Sequence, residues 1–189
     1  FLIVSLSYLM NSIWVFHKNK TTGKIPFGIK MILAPYLYLA MYLNKVSSKF
    51  NKNNSINLLL DNIYLGGKTS FKELPEGIQT IIDLTAELEE DPEISKGKDY
   101  ICFPILDASI PGKKEFNELL NKILELDSII FIHCAEGSGR TGMVAVGLCY
   151  KKFGFSSFEE ALEFATSKRE KIKLNKTQKN FMEEVLKII

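Results

Sequence analysis

The chain has 189 residues and a formal net charge of +2, with 46% apolar and 24% charged residues. These values are ordinary for one globular domain with a sizeable core. Lysine and glutamate are spread along the chain without a basic patch, so no nucleic-acid partner is expected. Three cysteines without close pairing do not suggest a disulfide framework or a zinc site, and a reducing compartment is the simpler expectation.

Residues 1–48 are predicted to form apolar helices that precede the main domain. Two apolar runs, FLIVSLSYLMNSIWVF (1–16) and MILAPYLYLAMYL (31–43), enclose the basic stretch HKNKTTGK (17–24). A helix that spans a membrane needs about 20 apolar residues, and neither run reaches that length. Tyrosines and flanking lysines in the second run are typical of an interfacial helix, so residues 1–45 are expected to associate with a membrane surface. The alternative is a pair of helices that dock on the domain's own core.

A polar, asparagine-rich stretch, KFNKNNSIN (49–57), predicts a linker and leaves 58–189 as the main domain. In that domain, short apolar runs ended by glycine or proline alternate with stretches of helical spacing. The predicted strands are 62–67, 77–85, 100–105 and 128–132, and the predicted helices are 113–126, 141–153, 157–170 and 175–189. This alternation favours an α/β fold with a central, mostly parallel, twisted sheet of four to five strands flanked by helices.

The most informative stretch is HCAEGSGRTG (133–142), which follows an apolar strand and precedes an apolar helix. Successive backbone N–H groups in such a loop form an anion cradle at the N-terminus of the helix. That position favours the thiolate form of Cys134, which is a nucleophile. The planar guanidinium of Arg140 holds two phosphoryl oxygens at once, which lysine cannot do. The predicted substrate-binding residues are Ala135, Glu136, Gly137, Ser138, Gly139 and Arg140.

Four residues of this stretch have expected supporting roles. Gly137 and Gly139 allow the backbone to approach a phosphate closely. The hydroxyl of Thr141 is expected to hydrogen-bond the sulfur, and His133 is expected to hydrogen-bond backbone around the loop rather than transfer protons.

Other interpretations of the loop fit less well. A lone cysteine is often an inert core residue, which is the expectation for Cys102 and Cys149, although either could protect Cys134 by forming a disulfide on oxidation. The segment GSGRTG (137–142) also fits the dinucleotide-binding pattern, but that fold needs a further strand ending in an acidic residue, and another helix follows here. A Walker loop would need Gly-Lys-Ser/Thr at the end of this stretch, where the sequence has Gly-Arg-Thr (139–141).

The order histidine, Cys-x5-Arg, Thr-Gly resembles the signature of the cysteine-dependent phosphatases. The resemblance covers roughly residues 60–189 and is nearest to the compact dual-specificity branch, where NIYLGG, the IIDLT strand and an aspartate loop occur in this order. Within that branch the chain is most similar to the phosphatidylglycerophosphate phosphatases, through its tyrosine-bearing apolar helix, the pair Asp107 and Pro111, and the acidic stretch AELEE (86–90). The resemblance implies a cysteinyl-phosphate intermediate and no metal or cofactor.

A phosphate ester also needs a proton for its leaving group. Asp107 follows a strand end on a proline-flanked loop and precedes Cys134 by 27 residues, as the general acid of the family does. The alternative is a solvated loop aspartate or a cap for helix 113–126. Gln178 resembles the glutamine with which some members place the attacking water, although a surface helical glutamine is an equal alternative.

The expected activity is hydrolysis of a phosphomonoester, either a lipid such as phosphatidylglycerophosphate or a phosphoprotein. Glu136 disfavours a second phosphate on the substrate unless it points outward. The alternatives are a dual-specificity protein phosphatase, a catalytically inactive phosphate-binding module and a rhodanese-like sulfur carrier, the last of which does not need Asp107. The expected location is at a membrane, with the catalytic domain facing the reducing cytoplasm.

Overall fold

The computed structural model of the protein describes residues 2–50 and 56–187. Its sheet has five strands in the order β1-β2-β5-β3-β4. Strands β2 to β5 pair in parallel, while β1 runs antiparallel to β2 at one edge. The predicted α/β class and the mostly parallel sheet are therefore confirmed. The strands are β1 (Asn57–Leu60), β2 (Ile63–Gly66), β3 (Thr80–Thr85), β4 (Asp99–Ile105) and β5 (Ile130–His133).

The helices follow the predicted order, with ends set by local capping. Ser157 accepts a hydrogen bond from the Glu160 N–H, and Asn175 and Gln178 form a reciprocal capping box. Gly154 ends the helix before them in a left-handed conformation. The helices are α1 (Leu2–Leu9), α2 (Phe27–Phe50), α3 (Pro92–Ser95), α4 (Lys113–Leu124), α5 (Gly139–Phe153), α6 (Phe158–Lys168) and α7 (Lys176–Leu186).

Strand β5 and helix α5 form the centre of the core, and between them they position the cysteine loop. All four residues of β5 are buried, which is why its sequence is apolar throughout rather than alternating. Helix α5 is buried from Arg140 to Cys149 because α4, α6 and α7 surround it. Burial raises the pKa of Cys149 to about 12 and that of Cys102 to about 11, so both thiols are neutral at ordinary pH.

The N-terminal segment packs on the domain beside the loops that follow β3 and β4. Its buried side chains form one cluster with Ala86 and Leu106, and they are Val4, Val15, Phe16, Ile25, Leu33 and Leu37. This contact corresponds to the docking alternative for residues 1–48. In the described part of the chain, no helix is both long and apolar enough to cross a membrane.

The predicted linker overlaps regular structure at both of its ends. Helix α2 runs to Phe50 and β1 begins at Asn57, so the segment between these elements is shorter than predicted. Residues 51–55 of the linker lie outside the described part of the chain.

Candidate active site

The loop between β5 and α5 forms a cradle with Cys134 at its base. The sulfur is buried, with 3% of the residue exposed, and accepts a hydrogen bond from the Gly137 N–H at 3.2 Å. An N–H that points at sulfur stabilises a negative charge there, as does the positive end of the α5 dipole. The loop geometry therefore suits a thiolate.

Gly137 is required by the shape of this loop. Its φ is +69°, and a Cβ at this position would lie 2.4 Å from the backbone of Gly66. The neighbouring N–H of Lys68 donates to the Ala135 carbonyl at 2.9 Å. The loop is therefore held against the end of β2, which fixes the direction of its N–H groups.

Arg140 is almost fully buried beside the sulfur. Its two terminal nitrogens donate to both carboxylate oxygens of Glu87, at 2.8 and 2.9 Å, and one of them also reaches the Ile105 carbonyl. Burial alone would lower the pKa of Arg140, but Glu87 and the charge of Cys134 raise it above its ordinary value. Its Nε is buried and has no hydrogen-bond partner among the described residues. Arg140 is therefore a permanent cation whose Nε–H remains available to donate a hydrogen bond to an oxyanion.

Asp107 lies at the mouth of the cradle. Its carboxylate is 67% exposed and 3.0 Å from the second terminal nitrogen of Arg140. The next residue, Ala108, has a φ of +56°, which is an uncommon conformation outside glycine. Asn11 of the N-terminal segment donates to the Ile110 carbonyl at 2.9 Å and braces this loop from outside.

Gln178 is buried rather than exposed on a helix surface. Its side-chain amide donates to the Ser109 carbonyl at 3.2 Å, and its oxygen accepts from the Asn175 N–H at 3.2 Å. A Cβ on Gly139 would lie 3.0 Å from the same oxygen. Gln178 therefore lies between the cysteine loop and the Asp107 loop.

Two supporting residues have partners other than those expected. The hydroxyl of Thr141 donates to the Gly66 carbonyl at 3.5 Å instead of bonding the sulfur. His133 faces a buried carboxylate instead of backbone, because its Nε2 lies 2.6 Å from Glu90. Neither ring nitrogen of His133 makes a hydrogen bond of good geometry with a described residue.

Beneath the loop lies a buried charge cluster of Asp83, Glu90, His133, Lys18 and Lys68. Asp83, Glu90 and His133 are close enough to share a metal ion, but ammonium groups already reach the carboxylates. Burial favours the neutral form of each acid, yet the charges of His133 and Lys18 hold the pKa of Asp83 below its ordinary value. Burial likewise opposes ionisation of Glu90, but His133 and then Lys68 lower its pKa to about 2.

Glu90→Gln is expected to destabilise the protein at neutral pH but not in strong acid. Because the folded pKa of about 2 lies below the ordinary 4.5, the carboxylate contributes fully above pH 4.5 and loses its contribution as pH falls through 2. The expected loss in free energy of unfolding at pH 7 is about 3 kcal/mol. Denaturant unfolding at pH 7 and pH 2.5 measures it, with exposed Glu93→Gln as control. An equal loss at both pH values would contradict the assignment.

Arg169 is a site residue that the sequence analysis missed. It is buried, and its Nε donates to the Gly137 carbonyl at 2.7 Å while another nitrogen reaches the Asn57 side chain. The chain contains two arginines beside 22 lysines, and both contact the cysteine loop. That rarity was a usable signal for Arg169 as well as for Arg140.

The cradle opens into a pocket of about 450 Å³ whose other wall comes from the N-terminal helices. Glu136 is exposed at its rim, so its charge points outward. The hydroxyls of Tyr8 and Tyr36 lie 3.1 Å apart in this wall, and burial raises the pKa of both tyrosines. The pocket residues from α1 and α2 are Tyr8, Tyr36, Leu39, Ala40 and Leu43.

The parallel sheet and the cysteine–arginine cradle are together typical of cysteine-dependent phosphatase domains. Residues 66–151 match the family model described as "Tc-R-P: Polymorphic toxin system, DSP-PTPase phosphatase". Over 82 residues the chain is 35% identical to "Putative tyrosine phosphatase 197R" of Invertebrate iridescent virus 6, an alignment covering 38% of this chain and 31% of that protein. The chain thus matches about a third of the viral relative's length.

Solved structures agree with this match. Tk-PTP in its active form has a TM-score of 0.65 at 26% identity, covering 71% of this chain and 98% of Tk-PTP. PTPMT1 in complex with PI(5)P has a TM-score of 0.61 at 17% identity, covering 70% and 95%, and shows the shared fold. Human DUSP28 likewise shows the fold, with a TM-score of 0.60 at 11% identity and coverage of 70% and 93%. The chain is thus similar to dual-specificity and tyrosine phosphatases in sequence over residues 66–151 and in fold over about 70% of its length.

Proposed function

We propose that the protein hydrolyses phosphomonoesters through a cysteinyl-phosphate intermediate. The thiolate of Cys134 attacks phosphorus and forms the S–P bond, while Asp107 gives a proton to the departing oxygen. Water then breaks the S–P bond, with Asp107 as the base that takes its proton. The observation that carries this proposal is the buried sulfur at the base of a cradle that Arg140 and Asp107 both border.

Arg140 and the loop N–H groups supply the electrostatic part of the reaction. The guanidinium is already held in place by Glu87, so little reorganisation is needed when charge builds on the phosphoryl oxygens. Its buried Nε supplies a further donor toward the substrate. Gln178 lies where it could orient the attacking water, between the two loops.

We further propose a lipid phosphomonoester as the substrate and a membrane surface as the partner of residues 2–45. The outer faces of α1 and α2 are apolar, which is unusual for helices that face water. Leu39 and Leu43 belong to this exposed surface and also line the active-site pocket, so the apolar surface reaches the cradle. Exposed apolar residues of α2 include Phe27, Met31, Ile32, Tyr38, Leu39, Met41, Tyr42 and Leu43.

The charge of the same region agrees with an anionic surface. Lys20 and Lys24 are exposed in the turn that joins the two apolar helices. An apolar helix face beside basic residues is typical of proteins that lie in the interface of anionic bilayers. On such a surface the cradle would receive a lipid phosphate without removing the lipid from the membrane.

Tyr38→Glu is expected to impair hydrolysis of a lipid in vesicles selectively. The side chain is 72% exposed and does not line the active-site pocket, so the chemistry should survive. A carboxylate there opposes insertion into an anionic bilayer, and we expect about a tenfold lower rate on phosphatidylglycerophosphate vesicles with an unchanged rate on para-nitrophenyl phosphate. The control is Phe153→Glu, which places the same charge at the far end of α5. Equal effects of the two variants would remove the membrane proposal.

The activity itself is tested by phosphate release without added metal. The substrates are para-nitrophenyl phosphate, a phosphotyrosine peptide and phosphatidylglycerophosphate in mixed micelles. Hydrolysis of the lipid in preference to the peptide would support the lipid proposal, and the reverse preference would favour a protein phosphatase. Phosphate binding without turnover on any of the three would show an inactive phosphate-binding module.

A further inference from the structure

Residues 85–90, here called the acidic turn, connect the N-terminal segment with the cysteine loop. Glu87 holds Arg140 and Glu90 approaches His133, so two of its acids face the active site. Glu89 faces the other way and accepts from the Ile25 N–H at 2.6 Å and from Lys30 at 2.7 Å. The turn therefore contacts the N-terminal segment on one side and Arg140 and His133 of the cysteine loop on the other.

The buried ammonium group of Lys18 binds oxygen atoms of this turn and of the neighbouring Asp83. Its ammonium lies 2.6 Å from Asp83, 2.8 Å from the Thr85 carbonyl and 3.0 Å from the Thr85 hydroxyl. A fourth oxygen, the Leu88 carbonyl, lies at 2.5 Å. The Lys18 side chain is 1% exposed, and a buried ammonium is tolerated only when its donors are satisfied. Two of these acceptors are backbone carbonyls on either side of Glu87.

The residues on both sides of Lys18 hold its side chain in the buried position. Phe16 is fully buried in the cluster that contains Ala86, and His17 turns the chain with a left-handed φ of +45°. Further along, the Gly23 carbonyl accepts from the Glu90 N–H at 3.4 Å. The N-terminal segment therefore contacts the acidic turn both before Lys18, at Phe16, and after it, at Gly23.

We propose that Lys18 is a positioning residue for catalysis, which holds the acidic turn so that Glu87 keeps Arg140 in its phosphate-binding orientation. Lys18 does not touch the substrate pocket, so it acts through Thr85, Leu88 and Glu87. The inference rests on the proposed phosphatase function. A displacement of about 1 Å in a positioning group can cost about 100-fold in rate.

The test uses Lys18→Met, the double variant Lys18→Met/Asp83→Asn, and Lys122→Met, at an exposed position of α4, as the control. Methionine keeps the unbranched chain up to the position of Cε and removes the ammonium group. Removing one partner of a buried ion pair can unfold a protein, and the double variant avoids this because neither charge remains. In the wild type the Thr85 N–H donates to an oxygen of Asp83 at 2.8 Å. Asparagine at position 83 keeps a side-chain oxygen that can accept this hydrogen bond.

Three quantities are measured for each variant: the midpoint of thermal unfolding, kcat/KM on para-nitrophenyl phosphate, and protection of Cys134 from iodoacetate by inorganic phosphate. We expect Lys18→Met to lower kcat/KM about 10- to 100-fold and to weaken protection. The double variant should regain thermal stability but not kcat/KM, because the bonds to Thr85 and Leu88 are still missing. Lys122→Met should match the wild type.

Wild-type kcat/KM in a folded variant of Lys18 would overturn the proposal. Recovery of kcat/KM in the double variant would do the same, because it would mean that Lys18 only neutralises Asp83. If the wild type itself releases no phosphate, the proposed function fails, but the iodoacetate assay still reports the cysteine loop without turnover. Unchanged phosphate protection in the variants would then overturn the positioning role on its own.

Discussion

Cys134→Ser is expected to reduce phosphate release by at least about 10⁴-fold on every substrate that the wild type hydrolyses. The loop favours an anion on sulfur, through the Gly137 N–H at 3.2 Å and the N-terminus of α5, whereas a serine hydroxyl stays protonated at this site. The variant keeps Arg140 and the loop N–H groups, so inorganic phosphate should still bind. Steady-state rates and calorimetric titration with phosphate measure the two effects.

The matched control is Cys102→Ala, which removes a buried sulfur outside the loop. Burial raises the pKa of Cys102 to about 11, so it is not a competing nucleophile, and the control should keep wild-type activity. Substantial phosphate release by Cys134→Ser would contradict the thiolate mechanism. Transfer of sulfur from thiosulfate by the wild type, without phosphate release, would instead favour the rhodanese-like alternative.

Local parts of this site were predictable from the sequence. The strand, the glycine-rich loop and the helix are contiguous, and the order Cys-x5-Arg places both side chains at one helix terminus. Asp107 was also predictable, because it follows a strand of the same parallel sheet and such strand ends meet at one edge. Its exposed carboxylate does lie 3.0 Å from Arg140.

The partners across the chain were not predictable. Glu87 binds an arginine 53 positions later, and Lys18 reaches Asp83 across 65 positions. Within HKNKTTGK, Lys18 has the same local setting as Lys20 and Lys24, so nothing near it indicates that it alone is buried. The turn at His17 and the burial of Phe16 decide this, and both depend on packing against the folded domain.

The apolar residues of α2 lie on two faces: one packs against the domain, as the docking explanation expects, and the other is exposed, as the proposed membrane contact would require. Leu33 and Leu37 pack against the domain, whereas Met31 and Tyr38 point outward. A helix that only docks needs one apolar face, and one that only lies on a membrane also needs one. Apolar residues on both faces are expected when the helix is placed between the domain and a bilayer.

Asp107→Asn is expected to separate catalysis from phosphate binding. Loss of the general acid should lower kcat/KM, which reports the steps up to the cysteinyl-phosphate, about 10²- to 10⁴-fold on alkyl phosphates, whose leaving groups need a proton, and much less on para-nitrophenyl phosphate. In the resting site the same carboxylate approaches Arg140 at 3.0 Å and competes with an incoming anion. Its removal should therefore tighten the inhibition constant of inorganic phosphate by about 2- to 5-fold.

The control is Asp127→Asn, an exposed aspartate that precedes β5, whereas Cys134 follows the other end of that strand, and it should change neither quantity. If kcat/KM falls equally on aryl and alkyl phosphates, Asp107 acts on the shape of the loop rather than as an acid. If phosphate binds more weakly in Asp107→Asn, the carboxylate helps to place Arg140 instead of competing for it. In the proposed exchange of partners, phosphate binds Arg140 and releases Asp107, which then reaches the leaving oxygen. This exchange requires that kcat/KM on alkyl phosphates and the phosphate inhibition constant fall together.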